Sequence, residues 1–138
     1  MTPAAGFVSI IPAILIGLGV SVLCFLMVAW VKPKLGYDDS LDAFGVHGVG
    51  GIWGALATGL FASKAVNSAG ANGLFLGNPV QFVIQLKAVL VTIVYSLVVT
   101  WLILKLVDMV IGVRADAKDE IIGLDLSQHR EGAYTVLE

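Results

Sequence analysis

His47 is the residue of this 138-residue chain best placed to do chemistry. It stands in Phe44-Gly45-Val46-His47-Gly48, within an uncharged run from Ala43 to Ser63. Holding an ionisable group in an apolar segment is costly, which makes it a candidate for a pathway or proton-handling role. The structural alternative is a neutral imidazole bonded to a carbonyl or hydroxyl of a neighbouring helix. Metal or haem ligation is not expected. The other histidine, His129, lies outside the apolar runs, and the nearest acid, Asp42, falls off the His47 face of a helix. No nucleophile with a base beside it occurs in these runs, so neither an enzyme nor a bound cofactor is expected. Asp38, Asp39 and Asp42 precede the histidine and read as helix caps and loop anchors in preference to a cation exit site. Ala43, one turn before His47, can line the same helix face. A second polar group, Asp125, His129, Glu131 and Tyr134, falls in an acidic C-terminal stretch whose plain physical reading is a solvated tail.

The elements that must position His47 follow from composition. Apolar residues make up 58% of the chain and charged ones 13%, against roughly 45–50% and about 25% in soluble domains. That balance excludes a disordered chain, a nucleic-acid binder and a soluble enzyme core. The chain reads as an all-α membrane protein with the lipid bilayer as its first partner. Three transmembrane helices are expected, at about 7–31, 42–63 and 79–112, giving a membrane region 1–113 and a tail 114–138. The first run, Phe7 to Val31, carries no charge and is long enough for about 37 Å of helix. Pro12 is expected to kink it, and Lys32-Pro33-Lys34-Leu35-Gly36 to end it. With no basic flank before it, this run is not a signal peptide, and the single Cys24 is a small buried hydrophobe. The second run holds Gly45, Gly48, Gly50, Gly51, Gly54 and Gly59. Gly50-x-x-x-Gly54 is a spacing used for close helix contact in membranes, here read as surface for helices outside this chain. Asp39 with Asp42 is close to a capping box for this helix. In the third, Asn78 is the expected cap and Pro79 the first residue, while Lys87 and Lys105 bracket an apolar core from Ala88 to Leu104.

Orientation follows from the basic residues. Lys32, Lys34, Lys105, Arg114 and Lys118 gather in the 32–42 loop and the C-terminal flank, against Lys64 and Lys87 elsewhere. The positive-inside rule then puts the 32–42 loop and the tail in the cytoplasm. If the second helix runs 42–63, His47 lies about 7–8 Å to the cytoplasmic side of its midpoint. A mid-membrane imidazole would require that helix to begin deep, with the 36–42 segment buried.

Asp38-Asp39-Ser40-Leu41-Asp42-Ala43-Phe44-Gly45-Val46-His47-Gly48-Val49-Gly50 resembles the D-D-x-x-D-x-F-x-x-H-G-x-x-G signature of the ammonium transporter family (Amt/Mep/Rh). The opening Thr2-Pro3-Ala4-Ala5-Gly6-Phe7-Val8 resembles the segment before that family's ninth span. Gly123-Leu124-Asp125 followed by His129-x-Glu131-x-Ala133-Tyr134 resembles its cytoplasmic tail motif, with Arg130 in place of the motif's glycine. The resemblance implies spans nine to eleven plus the tail, the C-terminal fragment of an eleven-helix fold that assembles as a homotrimer in the cell (inner) membrane. It implies ammonium or ammonia as substrate, with His47 the second of two pore histidines. It further implies a regulatory tail (Asp125, His129, Glu131, Tyr134) that meets PII-type signal proteins.

The implied chemistry has a physical basis. Stripping water from an ammonium ion in an apolar pore is expensive, so passage as ammonia with a separately handled proton costs less. Neutral imidazole offers one donor and one acceptor nitrogen. Two imidazoles edge to edge can therefore share a proton and form a hydrogen-bonding rail. Two other readings stand beside transport: a truncated or split fragment without independent transport, and a PII-type regulatory interaction module.

Overall fold

A computed structural model describes residues 2–132, so Tyr134 lies outside the described residues. These residues form helices and turns and no strand. Contacts divide the chain into two compact units, one reaching to Val94 and the other from Tyr95 onward, and each is described by itself. Three helices are long and apolar enough to cross a membrane: α1 Ile10–Leu35, α2 Phe44–Phe61 and α3 Pro79–Ile111.

Helix α1 starts at Ile10 because Ser9 turns the backbone extended, while the Ser9 carbonyl accepts from Ala13 N at 3.0 Å. Pro12 thus falls in the first turn, where an amide has no intrahelical acceptor to lose, so the expected kink has no cause there. The helix also overruns its expected end at 31. A π turn, Met27–Val31, leads into a final α turn, Lys32–Leu35, and Gly36 closes it in the left-handed conformation at φ 63°. The wide turn lies just before Pro33, whose ring would otherwise press on the carbonyl four residues back.

Helix α2 packs on α1 and on the 3-10 turn Thr2–Ala4. Its buried residues, Gly50, Gly54, Ala57, Thr58 and Gly59, are all small. A Cβ at Gly50 would lie 3.3 Å from Cys24 Sγ, one at Gly54 3.1 Å from the Pro3 ring, and one at Gly59 3.0 Å from the Phe82 backbone. These glycines therefore meet elements of this chain, whereas a Cβ at Gly51 would meet nothing within 4 Å. Trp53 packs against Gly19, and its indole Nε1 donates to the Ile16 carbonyl at 3.0 Å. Ile16, Ala4 and Ala57 form a small core, with Val8, Trp53 and Phe61 against it.

Residues 62–78 close one end of this unit. Ser63 N donates to the Phe7 carbonyl at 2.8 Å, Gly73 N to Ala62 at 2.7 Å, and Lys64 N to the Asn72 side chain at 2.9 Å. Phe75, in the 3-10 turn Leu74–Leu76, packs on Phe61 with ring centres 5.0 Å apart. Helix α3 then begins at Pro79, and no residue of its most apolar window is buried within the chain.

In the second unit, α3 ends at Ile111 with Gly112 left-handed at φ 74°. A short helix α4, Ala117–Ile122, and a π turn, Asp125–His129, follow.

Candidate functional site at the start of the second helix

His47 sits in a π turn, Phe44–Gly48, that opens α2; Val49 N reaches back five residues to the Phe44 carbonyl. Such wide turns inside α-helices recur at functional positions. The backbone enters this turn through a defined set of bonds. Asp39 caps it with both carboxylate oxygens, Oδ1 accepting from Ala43 N at 2.8 Å and Oδ2 from Phe44 N at 2.9 Å. Those amides are among the donors a helix start leaves unpaired, and the charge also suits the positive end of the helix dipole.

Asp42 does not close the expected capping box. It adopts φ 54°, its carbonyl accepts from Val46 N at 2.9 Å, and its carboxylate meets the Lys32 ammonium at 2.6 Å. Lys32 Nζ also donates to the Asp39 carbonyl at 2.6 Å. The end of α1 and the start of α2 are thus joined through one lysine. Asp38 stands apart, its carboxylate accepting from Ser40 Oγ at 3.4 Å.

The two π turns lie against each other. Gly45 is buried, and a Cβ there would stand 3.1 Å from Val28 Cγ2 and 3.5 Å from Met27 Cβ. Tyr37 packs edge-on against Phe44 at 5.9 Å. His47 and Ala43 by contrast are exposed. Among residues 36–42, Tyr37, Asp39 and Asp42 are half-buried and the others exposed, so this chain by itself does not bury the segment.

In the second unit, Asp125 and His129 begin and end the tail's π turn, and Glu131 N donates to the Asp125 carbonyl at 2.9 Å. Arg130, where the motif has glycine, takes the left-handed conformation at φ 56°. Among the described residues no three His, Cys, Asp or Glu side chains come together as a metal site.

Sequence reasoning missed Lys32 as part of the site and counted it only toward the end of the first helix and the orientation. Its available signal was a lysine in the last turn of one apolar run, facing a loop with three aspartates.

The described residues thus form apolar helices of membrane-spanning length, with an imidazole at the start of one of them. A model of the Ammonium Transporter Family matches residues 1–134, and the chain belongs to that family. It is 49% identical over 134 residues to an ammonium transporter of Bacillus subtilis, covering 97% of this chain and 33% of that protein. To an ammonium transporter of Aquifex aeolicus it is 50% identical over 136 residues, covering 99% and 31%. To ammonium transporter Amt1 of Archaeoglobus fulgidus it is 47% identical over 136 residues, covering 98% and 34%. The chain spans about a third of the length of these relatives. Family and apolar helices together make it an integral membrane protein.

Proposed function

We propose that this chain supplies part of an ammonium- or ammonia-conducting path, with the His47 imidazole as a hydrogen-bonding group in the pore and Ala43 lining the same side. The observation that carries this reading is the exposure of the imidazole at the start of α2. Gly45 is buried against Val28 and Met27, whereas Ala43 and His47, one turn apart, are exposed. An imidazole tethered by a π turn and left unused by its own chain is available to a permeating molecule or to a second imidazole. Neutral ammonia can take a hydrogen bond from it or give one to it, and no bare ion need be desolvated.

On this reading the protein sits in the cell membrane with residues 32–42 and the tail in the cytoplasm, and the complete assembly is a homotrimer. Asp125, His129, Glu131 and Tyr134 belong to a regulatory segment that meets a PII-type protein. Asp38, Asp39 and Asp42 serve as structural caps and anchors.

A second reading has its own support. The most apolar window of α1 is 6% buried and that of α3 0%, so much of the chain's surface is suited to lipid or to other helices, and three helices alone enclose no conduit. The chain then conducts only as one piece of a larger or split assembly. One experiment separates these. Residues 1–134 replace the matching third of the Bacillus subtilis relative, and ammonium-driven current is recorded in vesicles beside the 138-residue chain alone. The graft should conduct and its His47→Ala version should lose specific conduction while still assembling. Unchanged current in that variant would sink the pore assignment, and current from the chain alone would sink the second reading.

A further inference from the structure

We infer that Lys32 is a positioning residue for His47: its ammonium clasps Asp42 and the Asp39 carbonyl and thereby sets where the π turn carrying the imidazole lies. The inference deepens the reading of His47 as a pore group and rests on it for its functional meaning. The geometry is stated in distances. Lys32 Nζ stands 2.6 Å from Asp42 Oδ1 and 2.6 Å from the Asp39 carbonyl. Each of those residues touches the π turn directly, Asp39 through Ala43 N and Phe44 N, Asp42 through Val46 N. From the α1 side the same turn is seated by Gly45 on Val28 and Met27. The turn carrying His47 is therefore held by several contacts, and the Lys32–Asp42 clasp is the ion pair among them.

Energy alone would not retain this clasp. With the lysine side chain 28% and the aspartate 33% exposed, the pair resembles surface ion pairs that stabilise folds little. What it does hold is a conformation. Asp42 at φ 54° is in the left-handed region, which side-chain-bearing residues keep only when their surroundings over-determine them. The Lys32 contact, the Val46 amide and the Asp42 amide's own bond to the Asp39 carbonyl at 3.1 Å are restraints that do so. A lysine able to donate three hydrogen bonds from the last turn of a rigid helix fixes the loop that launches α2.

The test uses the whole chain in lipid nanodiscs and reads the imidazole Cε1–Hε1 cross-peaks by NMR. The two histidines of the chain provide a probe, His47, and a reference, His129. Lys32→Met keeps the aliphatic stem without the charge, and Asp42→Asn removes the charge while leaving a side chain that tolerates the left-handed backbone. Each variant should shift the His47 peak, and the double variant should shift it no further than the larger single change, the signature of one shared interaction. The Trp53 indole peak, which reports the α1–α2 packing at Ile16, should stay in place. A His47 peak that does not move in Lys32→Met overturns the inference. So do additive shifts in the double variant, or a Trp53 peak that moves along with His47. Current through the His47→Ala graft is read separately. If that current persists while the NMR shifts appear, the pore role fails and the positioning role stands.

Discussion

Two glycines of α1, two residues apart, should respond to alanine with opposite signs. At Gly19 a new Cβ would lie 2.5 Å from Trp53 Cζ2 and 3.0 Å from Cε2. The indole must then move, and its bond to the Ile16 carbonyl at 3.0 Å must lengthen or break. Overpacking of this kind costs about 1–3 kcal/mol, and a hydrogen bond lost inside a membrane protein adds roughly 0.6 kcal/mol. At Gly17 nothing stands within 4 Å, so alanine there brings only its better helix propensity, about 0.5–1 kcal/mol in favour. That propensity gain is common to both sites and cancels, so the two variants should differ by roughly 1.6–3.6 kcal/mol. Reversible unfolding of the chain in mixed micelles, followed by the helical circular dichroism signal, measures both. In a Trp53→Leu background, Gly19→Ala should lose most of its cost, because the clash belongs to that pair. Equal stabilities for the two alanine variants would refute the packing of Trp53 on Gly19 and with it the account of how α1 and α2 meet.

Arg130→Gly should relax a backbone held at φ 56°, a gain of roughly 1 kcal/mol; slower amide exchange at Glu131, whose N–H is bonded to Asp125, would report it. Asp39→Ala removes the acceptor of two amides at the start of α2 and should cost about 0.5–2 kcal/mol, seen as faster exchange at Ala43 and Phe44 with Trp53 amide exchange little changed. His47→Ala should leave the fold intact, since the side chain is exposed and is not among those that pack the α1–α2 contact, while specific ammonium-driven current in the graft disappears.

The three apolar helices were readable because a long uncharged run has few other ways to satisfy its backbone in a bilayer. Helix ends were harder, since they depend on a single turn. Lys32-Pro33 reads as a stop until a π turn admits the proline, and Pro12 reads as a kink until Ser9 places it in the first turn. The glycines of α2 announced close contact, yet their partners lie far off in sequence: Cys24 for Gly50, Pro3 for Gly54, Phe82 for Gly59. No local pattern carries that information. Asp39 was legible as a cap from type and position. The part taken by Asp42 was not, because its left-handed backbone and its lysine exist only once α1 and α2 stand side by side. Arg130 was visible as a departure from the resembled tail motif, and at φ 56° it takes a conformation that glycine adopts freely.

The Lys32–Asp42 contact bears on how deep the α1–α2 connection can be sunk. Paired at 2.6 Å, the two ions present a short dipole to their surroundings, and immersing that dipole costs less than immersing either ion alone. The start of α2 can therefore be drawn below the headgroups with the Lys32 and Asp42 charges compensating each other. Each ångström of that descent carries His47 the same distance toward the bilayer midplane, the depth at which an imidazole is hardest to replace with water.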